Sequence, residues 1–127
     1  MEYVESFRDL EVYRFSRLLS KDIFEVTKSF PKEEMYSLTD QVRRSSRSVG
    51  AQIAEAWGKR RYEKHFISKL TDGDGEQLET QHWIELAVDC GYLQKKQADD
   101  LLTRCFSIGK MIGSMIAKSS SFCKPDH

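Results

Sequence analysis

The chain has 127 residues, of which 39% are apolar and 31% are charged, with seven glycines and two prolines. This is the length of one domain, and it suffices for a hydrophobic core without a metal ion or a disulfide. The composition favours a compact helical protein over a disordered chain or a β sandwich. Twenty basic residues balance twenty acidic ones, so a function that depends on charge must come from local segregation of the two signs.

The sequence contains no apolar run near the ~20 residues that span a bilayer, and its first residues lack the apolar core of a signal peptide. Three cysteines, Cys90, Cys105 and Cys123, cannot all pair within one chain, and their spacings match no zinc or redox motif. We interpret them as reduced thiols, mostly core residues, which predicts a cytoplasmic protein without a cofactor.

The first helix is predicted over about residues 7–30. Its apolar residues recur at intervals of three and four, as on one face of an α-helix: Val12, Phe15, Leu19, Ile23, Val26 and Phe30. Ser6 and Asp9 have the spacing of a capping box. Pro31 ends the helix, because the residue before a proline is pushed out of the helical conformation.

The second helix is predicted over about residues 32–57, with Ser37 and Asp40 as a competing start and Gly58 at its end. Its buried stripe is Leu38, Val42, Val49, Ile53 and either Ala56 or Trp57. Between these positions lie the small residues Ser45, Ser46, Ser48, Gly50 and Ala51. Small side chains allow a neighbouring backbone to approach closely.

The third helix is predicted over about residues 62–90, closed by Gly91. Phe66, Leu70, Ile84 and Ala87 lie near one face, with Leu78 and Val88 close to it. Gly73 and Gly75 interrupt the pattern, and each costs about 1 kcal/mol relative to alanine inside a helix. They indicate either a kink or another backbone packed tightly against this helix.

The fourth helix is predicted over about residues 94–118, with residues 119–127 frayed. Its apolar stripe is Leu101, Cys105, Ile108, Ile112 and Met115. Gly109 and Gly113 form a further pair of small residues one turn apart. Four long amphipathic helices joined by short turns predict an all-α protein, a single elongated up-down-up-down four-helix bundle over residues 1–127.

Charge is strongly segregated along the chain. Residues 42–64 carry seven basic and two acidic side chains, whereas residues 71–93 carry six acidic side chains and no lysine or arginine. The basic residues are Arg43, Arg44, Arg47, Lys59, Arg60, Arg61 and Lys64. We interpret them as a candidate nucleic-acid-binding stripe. The alternative is that this basic helix lies against the acidic helix of its own or a neighbouring chain.

Other motifs are weaker. Lys59–Tyr62 places cations beside an aromatic ring, which suits base stacking or phosphate binding but also an ordinary solvated turn. The acidic segment 72–76 begins like a calcium loop but lacks the required glycine and the final glutamate. Glu79 and His82 supply only one of the two Glu-x-x-His pairs of a di-iron bundle, so we expect no metal site. No catalytic motif occurs, which favours a protein that is not an enzyme.

A set of short sequence pieces resembles one known family. The pieces are Asp9-Leu10, Val12, Phe30-Pro31, Glu34, Tyr36, Leu38-Thr39, Gln41-Val42-Arg43-Arg44, Ile53-Ala54-Glu55, Gly58, Leu78-Glu79-Thr80-Gln81, Ala87 and Gly91-Tyr92. Together they cover about residues 6–118 and resemble the bacterial four-helix-bundle proteins found in intervening sequences of large-subunit ribosomal RNA genes. The chain has Ser45-Ser46 where that family usually has two alanines, and Ala56 where it usually has glycine.

The resemblance implies a homopentameric ring without catalytic residues. The same family includes the accessory variability protein of diversity-generating retroelements, so the resemblance also implies RNA or DNA and a reverse transcriptase or other protein as candidate partners. We therefore predict a non-enzymatic accessory or adaptor protein that associates with nucleic acid. The alternative is a protein-interaction scaffold whose basic stripe lies in subunit contacts. The candidate interface residues are Arg43, Arg44, Glu55, Trp57 and Trp83.

Overall fold

A computed structural model describes residues 4–123, which form helices and connecting turns without a β-strand. The four long helices are α1 (Glu11–Thr27), α2 (Leu38–Gly58), α3 (Glu63–Asp89) and α4 (Lys95–Ala117). A short helix, α5 (Ser119–Phe122), follows α4, and 3₁₀ turns at Phe7–Asp9 and Lys32–Glu34 precede α1 and α2. The prediction of an all-α protein with four long helices is confirmed.

The long helices pack as a closed four-helix bundle. α2 contacts α1 and α3, and α4 contacts α3 and α1, so each helix has two neighbours. The α2–α3 and α3–α4 connections span only residues 59–62 and 90–94, which is too short for parallel neighbours. Within residues 4–123, no helix is both long enough and apolar enough to cross a membrane.

The core follows the predicted stripes closely on α2 and α4. The α2 residues Leu38, Val42, Val49, Ile53 and Ala56 are buried, as are the α4 residues Leu101, Cys105, Ile108, Ile112 and Met115. On α3, Leu78 is 54% exposed, so its predicted place beside the core is wrong. It lies one residue beyond the buried Gln77, and a 100° step along a helix turns it outward.

The buried face of α1 is rotated relative to the predicted one. It consists of Val12, Ser16, Leu19, Ile23 and Thr27. Phe15 is 41% exposed, and Val26 is only partly buried. Ser16 and Thr27 take inward positions because their hydroxyls donate to backbone carbonyls one turn earlier, which satisfies them inside the core. An apolar count could not identify these polar core positions.

The connection from α1 to α2 is longer than predicted. α1 ends at Thr27 rather than near residue 30, and α2 begins at Leu38 rather than near residue 32, so the competing start at Ser37 is the one observed. Glu34 stabilises the turn: one carboxylate oxygen accepts the Leu38 N–H at 3.3 Å and the other accepts the Tyr92 hydroxyl at 2.8 Å. This hydrogen bond to Glu34 raises the pKa of Tyr92 to about 12.

In each pair of helix-interior glycines, one glycine packs against a neighbouring side chain and the other faces open space. α3 runs unbroken through Gly73, where a methyl group would stand 3.4 Å from Gln52 Cβ, so close packing against α2 explains this glycine. At Gly109 of α4 a methyl group would come within 2.7 Å of Gln77 Nε2. At Gly75 and Gly113, no atom of residues 4–123 lies within 4 Å of such a methyl group.

The segment after α4 is not frayed where the structure describes it. The Phe122 ring stacks on Phe66 at 5.9 Å between centroids, Ser119 donates to Glu63, and Cys123 is buried. These contacts hold α5 against the start of α3, so the predicted fraying is wrong for residues 119–123, while residues 124–127 lie outside the described part. Cys90, expected among the core thiols, is exposed.

We predict opposite outcomes for alanine at an open and at a packed glycine. Gly75→Ala should raise the free energy of unfolding by about 0.5–1 kcal/mol, because alanine favours the helix and meets no neighbour. Gly109→Ala should show no such gain, because its methyl group displaces the Gln77 amide that donates to Asp74 at 2.9 Å. Urea unfolding of both variants tests this; an equal gain at both sites would contradict it.

Candidate nucleic-acid interface

The predicted basic stripe begins with Arg43, which is committed to its own chain. Its Nε donates to Thr27 Oγ1 at 2.8 Å, and a terminal nitrogen donates to the Phe24 carbonyl at 3.3 Å. The guanidinium also lies over the Phe24 ring, 4.6 Å from its centroid. Through one hydroxyl and one carbonyl near the end of α1, Arg43 thus joins α2 to α1 inside one subunit.

Arg44 faces the opposite neighbour, α3. It forms an ion pair with Glu76 at 3.1 Å and a second one with Glu79. Glu79 also accepts the Trp83 indole N–H at 2.9 Å. The Trp83 hydrogen bond is the main cause that holds the pKa of Glu79 below its usual value; burial opposes it, and the hydrogen bond from Arg44 adds to the lowering. Arg44 therefore fits the alternative interpretation, in which the basic helix lies against the acidic helix of its own chain.

Arg47 differs from both, because it remains exposed. Its guanidinium lies 5.5 Å from the Phe24 ring centroid on the α1 side of α2, and it forms no ion pair within residues 4–123. Arg43 and Arg47 thus face α1, whereas Arg44 faces α3. The three guanidinium groups therefore do not form one continuous stripe, and a role of these residues in nucleic-acid binding stays a prediction.

The remaining predicted cations lie at the α2–α3 turn. Arg60 stacks on Trp57 at 3.6 Å from the ring centroid and donates to the Trp57 carbonyl at 2.8 Å. Arg61 lies 5.7 Å from the Tyr62 ring centroid. Lys59 and Lys64 are exposed and form no ion pair in the described part of the chain. This end of the bundle is basic, and it is separated along the bundle from Arg43 and Arg47.

The other candidate interface residues have partners within the subunit. Glu55 pairs with Lys69 of α3 at 3.0 Å, and Trp83 is partly buried with its indole on Glu79. Trp57 is also partly buried and carries Arg60 on its ring. A role in subunit contacts for these residues stays a prediction, and each already contributes to the packing of its own bundle.

A line of cations on α1 was not among the predicted site residues. Arg14, Arg17 and Lys21 recur at intervals of three and four, so they share one face of α1. They are exposed, and Arg17 and Lys21 form no ion pair within residues 4–123. A net-charge count along the chain does not show this line, because α1 also carries acidic residues. Its helical spacing could have revealed it.

Two of the three acids of α1 have basic partners. Asp22 is bound by Arg104 of α4 at 2.8 Å, on the side away from α2. Glu25 pairs with Lys28 at 3.1 Å. The α1–α2 side of the bundle therefore presents Arg14, Arg17, Lys21 and Arg47 together, which defines the basic face of the molecule. Phosphates are the groups that such a face attracts most strongly.

Neither acidic motif forms a metal site in the described residues. No group of three histidine, cysteine or carboxylate side chains comes together within residues 4–123. The segment 72–76 is part of the continuous helix α3, so its carboxylates are not arranged as a calcium loop. Glu79 is occupied by Arg44 and Trp83, and the His82 ring lies against Trp83 at 4.8 Å.

The chain is similar to known proteins over most of its length. Residues 8–114 match a family described as 23S rRNA-intervening sequence protein. The chain belongs to this family. It is also similar to a solved structure from Bacteroides thetaiotaomicron VPI-5482, a protein with unknown function from the S23 ribosomal protein family, with 28% identity and a TM-score of 0.76. That similarity covers 84% of this chain and 95% of the other. No curated protein matches the chain.

We predict that the Arg44–Glu79 pair makes stability depend on acid pH. Because folding lowers the pKa of Glu79 below its reference of 4.5, the contribution is present above that pH and is lost as the pH falls below it. Glu79→Gln keeps an acceptor for Trp83 but removes the charge. At pH 7 it should cost about 0.5–1 kcal/mol, a small value because both partners are substantially exposed.

Urea unfolding between pH 7 and pH 3 measures this effect. The difference between the wild type and Glu79→Gln should narrow as the pH falls below 4.5. Glu85→Gln, at an exposed position on the same helix, is the matched control. A difference that stays constant over this range would show that the charge of Glu79 contributes nothing.

Proposed function

We propose that this protein is a non-enzymatic, self-associating four-helix bundle that acts as an accessory or adaptor protein on RNA or DNA. The observation that carries the proposal is the basic face on the α1–α2 side, where Arg17, Lys21 and Arg47 lack carboxylate partners within residues 4–123. The overall neutrality of the chain does not remove the positive charge of this face, because Asp22 and acids of α3 are paired or lie on other sides of the bundle.

Membership of the 23S rRNA-intervening sequence protein family is compatible with this role but does not specify it. The family and the Bacteroides protein share the fold, and the latter is a protein with unknown function. The support for nucleic-acid association therefore comes from this chain's own surface. A cytoplasmic location fits its exposed thiol at Cys90 and its two buried ones.

Exposed apolar side chains on both sides of α4 support self-association. Phe15 and Leu18 of α1 line a shallow apolar depression with Arg104 and Ser107 of α4. Phe106 of α4 is 59% exposed, and Leu78 of α3 is 54% exposed. Apolar side chains grouped in this way typically belong to protein–protein contacts. We propose that further copies of the chain cover them, with the pentamer as the implied assembly.

A protein-interaction scaffold without nucleic acid is the second candidate. It is favoured by the same apolar surfaces and by the pairing of Arg44 inside the subunit, which removes one cation from the predicted stripe. The two candidates differ in what the basic face contacts. An acidic partner protein would replace phosphates there.

We predict that the purified protein binds RNA and DNA, single-stranded as well as structured, at low salt. Affinity should fall steeply as salt is raised from about 50 to 200 mM, because binding by phosphate contacts releases counterions. Gel-shift titration at several salt concentrations measures this. Absence of any complex at the lowest salt would reject nucleic-acid association and leave the scaffold as the surviving candidate.

We predict that charge in the apolar surfaces dissociates the assembly. Leu18→Asp and Phe106→Asp should each lower the mass measured by light scattering, which for the wild type is expected near five times the 14.8 kDa of one chain. Ser68→Asp, at an exposed position of α3, is the control and should leave the mass unchanged. A monomeric wild type at micromolar concentration would contradict self-association.

A further inference from the structure

We infer that the groove between α1 and α2 holds a single strand of nucleic acid, with its phosphates on Arg17 and Arg47. This inference rests on the proposed function and specifies both the surface and the class of ligand. The α1–α2 groove is lined by Arg17, Ser20, Arg47, Gly50, Ala51 and Ala54. It is continuous with the exposed surface of α1 that carries Arg14 and Lys21.

Small residues create the groove. Gly50, Ala51 and Ala54 of α2 lie where longer side chains would fill the space between the two helices. Gly50 is also required by packing, because a methyl group there would stand 3.1 Å from Ser16 Oγ of α1. The depression is therefore a consequence of how closely α1 and α2 approach, and it persists without a ligand.

Cations stand on both sides of this groove. Arg17 projects from α1 and Arg47 from α2, and Lys21 follows Arg17 by one turn, about 6 Å along the helix axis. None of these three forms an ion pair with a carboxylate in the described part of the chain. A chain of phosphates along the groove would meet positive charge from both helices at once.

An aromatic pair completes the arrangement. Tyr13 and Phe7 both line the groove, and their rings meet edge to face with centroids 4.8 Å apart. Basic grooves flanked by aromatic rings are how proteins bind single strands without sequence preference, because any base can stack on a ring.

The width of the groove selects a strand over a duplex. The two helices are in contact, and contacting helices have axes about 8–10 Å apart, so the depression between them is narrower than this spacing. A double helix, whose grooves alone measure about 12 and 6 Å across, is too wide to enter it. The recognised chemistry is thus the sugar-phosphate backbone of single-stranded RNA or DNA.

Fluorescence anisotropy with a labelled single-stranded RNA of about 20 nucleotides tests this inference on the full chain. Arg17→Gln with Arg47→Gln should weaken binding at least about tenfold at low salt. It should also reduce the slope of log affinity against log salt by about 1.4, since each lost contact with a single strand removes about 0.7. The control is Lys95→Gln with Lys96→Gln on α4, which removes the same charge and should leave the affinity unchanged.

A second variant keeps every cation in place. Ala51→Glu puts a negative charge at an exposed position in the groove, and Ser68→Glu puts the same charge on an exposed position of α3. Ala51→Glu should weaken binding of the labelled RNA, whereas Ser68→Glu should not. If the double arginine variant loses helical circular dichroism, the Ala51→Glu result decides the inference alone.

The outcomes separate this inference from the proposed function. A wild type that binds no nucleic acid at low salt overturns both. A wild type that binds, with groove variants indistinguishable from their controls, overturns the groove and leaves nucleic-acid association standing. Equal affinity for a duplex of the same length overturns the preference for single strands. Equal binding of polyglutamate would overturn nucleic acid as the ligand and make the groove a site for an acidic protein.

Discussion

The buried contact between α2 and α3 is the constraint on which the rest of the bundle depends. Ser45 and Thr80 meet there with their hydroxyl oxygens 2.8 Å apart, and both side chains are completely buried. Thr80 also lies 2.9 Å from the Glu76 carbonyl, so the pair satisfies its polar atoms internally. Small side chains allow this close approach, and the hydrogen bond fixes how far one helix can slide along the other.

The charge pattern of the surface follows from that register. With Ser45 against Thr80, the next residue back on α2, Arg44, reaches Glu76 and Glu79 and is neutralised by them. Arg43 and Arg47 reach towards α1, which offers the Phe24 ring and carbonyl and the Thr27 hydroxyl instead of acids. Arg47 therefore keeps its charge exposed. One helix thus takes part in an internal ion-pair network and in an exposed basic face.

Three kinds of surface surround the same core. The basic face lies over α1 and α2, the acidic side chains are concentrated on α3, and exposed apolar residues border α4. Such a division suits a protein that contacts copies of itself through one side and a charged polymer through another. In a ring of copies the basic grooves would repeat at regular intervals, and linked weak sites bind a long ligand more tightly than one site does.

The sequence alone determined the four long helices, because apolar residues at intervals of three and four define a helix whatever lies beside it. It also determined most core positions on α2 and α4 and the end of α3 at Gly91, whose positive φ suits only glycine well. The tertiary structure decided which way each arginine points, since neighbours on a helix surface can face different partners. It also decided that Ser16 and Thr27 are core residues and Phe15 is not, because burial depends on which helices flank α1.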